Sequence, residues 1–178
     1  MIIPFAALPG KKRAGRNTNV PPRITETTFA IVLSVAFIVL LLPVQASGHG
    51  FGFDIIRLVD KNQDDGMINV HGQVGLTGDT ALTLGYASGD DLTILDAGFK
   101  YYFGRYVDSV FIQLGIGYYD HDHDDDFGFV CSFGYERRLA RYLAVSGSVR
   151  MVAGVDEQVI GYPETPVFQP TLSIMIVF

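Results

Sequence analysis

The densest chemistry in the chain is the run Asp120-His121-Asp122-His123-Asp124-Asp125-Asp126. Carboxylate oxygens suit hard cations such as Ca²⁺ and Mg²⁺. Imidazoles among carboxylates suit Zn²⁺ or Cu²⁺. In an extended backbone the Asp-His alternation puts like side chains on one face. His121, Asp122, His123 and Asp124 are therefore the candidate metal ligands. The run lacks the glycine and closing glutamate of an EF-hand loop, and its spacing fixes no ligand geometry. The plainer reading is a solvated acidic loop that gathers divalent cations weakly. No other cofactor is implied.

A second polar set is spread along the chain at every other position of apolar segments: Asn69, His71, Gln73, Asp96, Lys100, Gln113, Glu136 and Arg150. Asp96 and Lys100 stand four apart on one strand face. Charges enclosed in a narrow space must pair or be hydrated. His71, Gln73, Asp96, Lys100, Glu136 and Arg150 are thus expected to form an internal polar network. Catalysis would need a nucleophile beside a base. His71 shares its predicted face with Ser132, Ser146, Ser148 and Ser173, but no motif joins them and no catalytic residue is assigned. The single cysteine, Cys131, excludes an intramolecular disulfide and a CxxC site. It falls on the apolar face as a small hydrophobe.

The elements that must hold these residues follow from composition and period. The 178 residues are 48% hydrophobic and only 18% charged, where about 25% charged is usual for a soluble domain. Residues 1–46 carry a net charge of +4 and residues 47–178 carry −10. An acidic main part argues against a nucleic-acid partner, whose phosphates need Lys and Arg. The apolar stretch Phe29–Leu42, interrupted only by Ser34, follows basic residues and precedes Val44-Gln45-Ala46, a small-x-small cleavage pattern. At 14 residues it is short of the roughly 20 needed to span a bilayer. Residues 1–46 are read as a secretory signal peptide cut after Ala46, with an uncleaved anchor helix as the alternative. Residues 47–178 form the second unit.

That unit alternates at period two between turn residues, which predicts eight strands. They cover 51–60, 67–77, 80–87, 92–103, 110–119, 127–136, 143–151 and 168–178. One face gathers residues such as Leu95, Phe99, Ile112, Leu114, Phe129 and Ile174; the other gathers Gly, Ser, Thr, Asn, Gln and the isolated charges. The faces of 51–60 are the least clear. A water-soluble sandwich hides its apolar face and shows its charges. Small polar residues opposite a continuous apolar face fit the reverse, a closed barrel in lipid. The fold class expected is all-β: an eight-stranded antiparallel up-and-down transmembrane barrel behind a signal-peptide helix.

Tyrosines mark the strand ends, as amphipathic rings do at a lipid–water boundary. Tyr86, Tyr118 and Tyr119 sit at one set of ends; Tyr101, Tyr102, Tyr106, Tyr135 and Tyr142 sit at the other. With both termini periplasmic, the outer connections are DKNQDDG, SGDD, DHDHDDD and GVDEQVIGYPETPV, all acidic. The inner ones are TGDT, GRYVDS and ERRLARY, which hold Arg105, Arg137, Arg138 and Arg141.

The last strand, PTLSIMIVF, carries apolar residues back from Phe178 in steps of two and is expected to pair with the first. Here the chain resembles the outer-membrane β-barrel proteins of Gram-negative bacteria, whose last strand commonly ends in Phe. Its size is similar to the OmpA/OmpX-type eight-stranded group, and one subfamily of similar size is the small YfaZ-like proteins. The resemblance implies localisation in the bacterial outer membrane, outer-membrane lipid as a partner, and recognition of the strand ending at Phe178 by the barrel-assembly machinery. A monomer with a structural or surface-interaction role is expected, its polar lumen plugged by side chains. The alternatives are a lipid-modifying outer-membrane enzyme and a small porin-like pore, since unrelated activities share such a fold.

Overall fold

The computed structural model describes residues 48–59, 66–89, 91–121, 124–156, 159 and 166–178. The predicted signal peptide, residues 1–46, lies outside the described residues. Eight antiparallel strands close into a barrel in sequence order. They are β1 (His49–Asp54), β2 (Ile68–Gly75), β3 (Thr80–Ser88), β4 (Leu92–Tyr102), β5 (Asp108–His121), β6 (Asp124–Ala140), β7 (Leu143–Ala153) and β8 (Val167–Val177). One short helix, α1 (Ile55–Val59), follows β1. Closure runs through β1 and β8, from Gly50 opposite Val177 to Asp54 opposite Ser173. The three short turns, the start of β1 and the end of β8 lie at one rim, the short-turn end. Strands β1, β3, β5 and β7 end at the other, the long-loop end.

The wall has the two faces that alternation predicts. On β4, Phe99, Tyr101 and the following Phe103 are exposed, while Lys100 and Tyr102 are buried. On β2, Ile68 and Val70 are exposed and Asn69 and Gln73 buried. The same contrast holds on β6, where Phe133 is 61% exposed and Glu136 only 1%. Hydrophobic side chains thus cover the outside, and charged ones are turned in.

Three expectations need correction. The strand predicted over 51–60 ends at Asp54, and residues 55–59 are helical. Phe51 and Phe53 point outward, so a continued strand would carry Arg57 onto the apolar outer face. Instead Asp54 caps the helix: its Oδ1 accepts the Ile56 N–H at 2.9 Å. The chain turns inward, and Gly66, at φ +108°, brings it back to β2. Second, DHDHDDD is mostly strand. The β5–β6 ladder reaches His121 opposite Asp124, because the backbone of a hairpin pairs whatever charges it carries. Third, Tyr102, Tyr106 and Tyr119 do not join an outer girdle; they are 0%, 8% and 1% exposed. Tyr102 shares Lys100's face and Tyr119 shares Gln113's, so parity turns both rings inward.

The interior is layered. At the long-loop end Met67, Leu92, Ile94, Tyr119, Val152 and Val155 are part of one buried apolar cluster. At the short-turn end Tyr102, Tyr106, Val107, Phe111, Met175 and Val177 belong to another. The polar residues lie between them.

Candidate functional site

The first polar cluster joins β2, β4 and β6. Glu136 is its centre, and register places it beside Ser109 on β5 and Ser146 on β7. Its Oε1 accepts the Tyr102 hydroxyl at 2.6 Å and Gln73 Nε2 at 3.1 Å. Its Oε2 is paired with Lys100 Nζ. The ammonium also donates to Gln73 Oε1 at 3.3 Å and sits 3.9 Å from the centre of the Phe111 ring, a cation–π contact. Lys100 is therefore surrounded by acceptors. Charge pairing with Glu136 holds it in place.

The second cluster lies toward the long-loop end. Arg150 Nη1 on β7 donates to Asp96 Oδ2 on β4 at 3.0 Å. Arg57 Nη1 on α1 stands 4.0 Å from the same oxygen. Gly85 on β3 makes room for this carboxylate, since a Cβ there would meet Asp96 Oδ1 at 2.7 Å. Asn69 substitutes its amide for a strand partner: Oδ1 accepts the Asp54 N–H at 2.6 Å, and Nδ2 donates to Asp54 O at 2.9 Å. Asp54 Oδ1 accepts the Leu172 N–H at 3.2 Å as well as that of Ile56.

Between the clusters lies a cavity of about 90 Å³ that His71, Gln113, Ser132 and Ser146 help to line. Gln113 Nε2 donates to Thr83 Oγ1 at 3.0 Å, and Ser148 is hydrogen-bonded to Thr171 at 2.5 Å. Among the described residues no hydrogen-bonded Ser–His–carboxylate chain is present. At the short-turn end the Tyr106 hydroxyl donates to Gly48 O at 3.1 Å. Burial, with the Glu136 charge nearby, pushes its pKa up to about 12.

Of the six residues expected in the internal network, Gln73, Lys100 and Glu136 meet in one cluster and Asp96 and Arg150 in the other. His71 faces the space between. Asp96 and Lys100, neighbours on one strand face, each pair across the barrel rather than with one another. Arg57, Asp54 and Tyr102 were not expected there. The signal for Arg57 was its position, a lone cation inside the apolar stretch IIRLV. Of the candidate metal ligands, His121 ends β5 and Asp124 begins β6, while Asp122 and His123 lie outside the described residues. Among the described residues no group of three or more His, Cys, Asp or Glu could hold a metal ion.

Fold and interior together define a small up-and-down β-barrel with a charged middle layer between two apolar ones. No protein-family model matches the chain, and no curated protein shows significant similarity to it.

Proposed function

We propose that this protein is exported by residues 1–46 and resides in the bacterial outer membrane as a monomeric β-barrel with a structural or surface-interaction role and no enzymatic site. One observation carries the reading. The outside of a closed barrel exposes Phe99, Leu114, Ile116, Phe129, Phe133 and Ile176 together, while Lys100, Glu136 and Arg150 are buried. Exposed apolar patches on soluble monomers rarely exceed a few hundred Å². A barrel in lipid needs this inversion, with every wall hydrogen bond made internally. The long-loop end faces the cell exterior in this reading. Its acidic residues, among them Asp91, Asp120, Asp124 and Asp125, gather divalent cations that tie them to lipid phosphates. The strand ending at Phe178 is the segment offered to the assembly machinery.

Fractionation tests it. The full chain, expressed with its leader, is expected in outer-membrane fractions, with the unheated sample migrating differently from the boiled one. A detergent-free monomer in the soluble periplasmic fraction would refute the membrane placement.

A further inference from the structure

At the short-turn rim the β6–β7 hairpin runs beyond its neighbour. The β5–β6 ladder begins at Asp108 opposite Arg137, yet β6 continues to Ala140. Its pairing with β7 slips between Arg138 and Ala140. Leu139 is the extra residue of that bulge, and the turn falls on Arg141 and Tyr142. A bulge bends its strand and re-aims the side chains beside it. The tip of the hairpin is tied to the last strand: the Val177 N–H donates to Tyr142 O at 3.0 Å. Phe178 is tied in turn to the first strand, its O accepting the His49 N–H at 2.8 Å. Barrel closure thus brings the arginines of ERRLARY against the end of β8.

A recess of about 260 Å³ opens there, lined by Gly48, Arg138, Arg141, Tyr142, Val177 and Phe178. Val177 is buried and closes it from below. Gly48, at φ +138°, takes a backbone conformation that favours glycine and leaves its side of the recess without a side chain. The Arg141 guanidinium lies 5.0 Å from the centre of the Tyr142 ring, a cation–π contact that holds it in place. Among the described residues neither Arg138 nor Arg141 stands in a salt bridge. Around the recess Leu139, Leu143 and Phe178 expose apolar side chains.

The acids of this rim do not cancel the two arginines. Glu136, next to them in sequence, is turned into the bore and paired with Lys100. Asp108 stands opposite Arg137, and that pair leaves Arg138 and Arg141 over. Asp79 lies across the barrel on the β2–β3 turn, where it accepts the Thr77 hydroxyl at 2.5 Å. Counting a carboxylate on Phe178 against one arginine still leaves the other guanidinium without a counter-charge. A zwitterionic headgroup carries its own cation and leaves that balance unchanged. An anionic phosphodiester completes it.

We propose that this recess seats the headgroup of an anionic phospholipid from the leaflet at the short-turn rim. Arg138 and Arg141 donate to the phosphate oxygens, as arginine does in charge-assisted, often bidentate pairs. Tyr142 sits at headgroup level, where amphipathic rings belong. The acyl chains lie along the wall past Leu143 and Phe178. A free phosphate would leave those apolar side chains unused. Basic pockets beside membrane-spanning segments recognise anionic headgroups on the same grounds. No part of the barrel has to move. The proposal rests on the membrane placement above.

The test uses the full chain in phosphatidylcholine nanodiscs that hold a small share of a photoreactive lipid, phosphatidylglycerol or phosphatidylcholine, each with a diazirine close to the headgroup. Phosphatidylglycerol is expected to label residues 137–143 and 176–178 preferentially, and the phosphatidylcholine probe to label the rim evenly. Arg138→Gln and Arg141→Gln should each lower that preference about fivefold, the worth of one arginine at an anionic headgroup. Arg138→Lys and Arg141→Lys, which keep the charge, should retain part of it. Arg105→Gln removes the same charge from the same rim outside the recess and should change nothing. All three arginines are exposed, so the variants are expected to fold, and heat-dependent migration verifies it. Even labelling by both lipids on a folded barrel would overturn the site. An equal loss in Arg105→Gln would overturn it in favour of general attraction to a basic rim. Competition by water-soluble glycerol phosphate as strong as by lysophosphatidylglycerol would overturn the lipid assignment. Absence of label from either lipid anywhere on the chain would overturn the membrane placement, and the site with it.

Discussion

Glu136 is the residue on which the lower polar cluster turns, because Lys100, Tyr102 and Gln73 all donate to it. Breaking a buried pair from one side leaves a charge without compensation and costs about 3–5 kcal/mol. Glu136→Gln is therefore expected to destabilise the barrel by about that much in guanidinium unfolding. The pair Glu136→Leu with Lys100→Met should cost less than Glu136→Gln alone. Equal costs would mean that Lys100 finds water. Tyr106 gives a second expectation. Its folded pKa is raised, from an ordinary 10 to about 12, so folding favours the neutral hydroxyl. Its contribution is whole below pH 10 and is lost as pH climbs toward 12, by about 2–3 kcal/mol. Unfolding measured across that window should show a fall in stability that is smaller in Tyr106→Phe. At this scale period two assigns a side chain to a face, as it does for Gln73, Lys100 and Glu136. It carries no information about height or cross-barrel partner. That is why Asp96 and Lys100 read as neighbours yet bond elsewhere, and why Tyr102 reads as a rim residue.

Among the elements, β2 to β8 were legible because each alternates for eight or more residues. Residues 51–60 were not. Phe51 and Phe53 continue an outward face that Arg57 would spoil, and a helix of five residues is too short to show a helical period. The deciding feature is a cap, Asp54, which holds the Ile56 and Leu172 N–H groups with one oxygen. Loss of an N-cap typically costs about 1 kcal/mol. Asp54→Ala is expected to cost at least that. Hydrogen exchange should quicken at the Ile56 and Leu172 amides but not at Gln113 on the far wall. Unchanged exchange at both amides would mean that α1 is held by packing alone. The acidic hairpin taught the converse lesson: charge suggested a loop, but opposed backbone groups extend the ladder to His121 and Asp124.

At the scale of the whole molecule, the closed barrel and its inverted faces follow from repetition, which single exceptions do not disturb. The layered interior was hidden for the same reason. Ile94, Val130 and Val152 occupy the polar face and read as noise in the alternation until register stacks them near one end. Two apolar layers with a charged one between make two separate barriers. Hydrophobic constrictions exclude water by dewetting, so either layer is enough to keep the bore dry. Below the upper layer, the pairs Lys100–Glu136 and Arg150–Asp96 also cross the interior. Water and ions should therefore respond differently. In reconstituted vesicles the native protein is expected to add no osmotic water permeability and no steady single-channel steps in planar bilayers. Tyr119→Ala opens only the long-loop layer and Phe111→Ala only the short-turn layer, so each alone should stay dry. Truncations of this kind cost about 3–5 kcal/mol, and each variant is compared after folded migration is verified. The double variant should pass water, read by stopped-flow light scattering, while ion steps remain absent because the crossing salt bridges still block the bore. Ion steps in the native protein would overturn the sealed interior. Water flow in either single variant would show that one layer, not both, is the barrier.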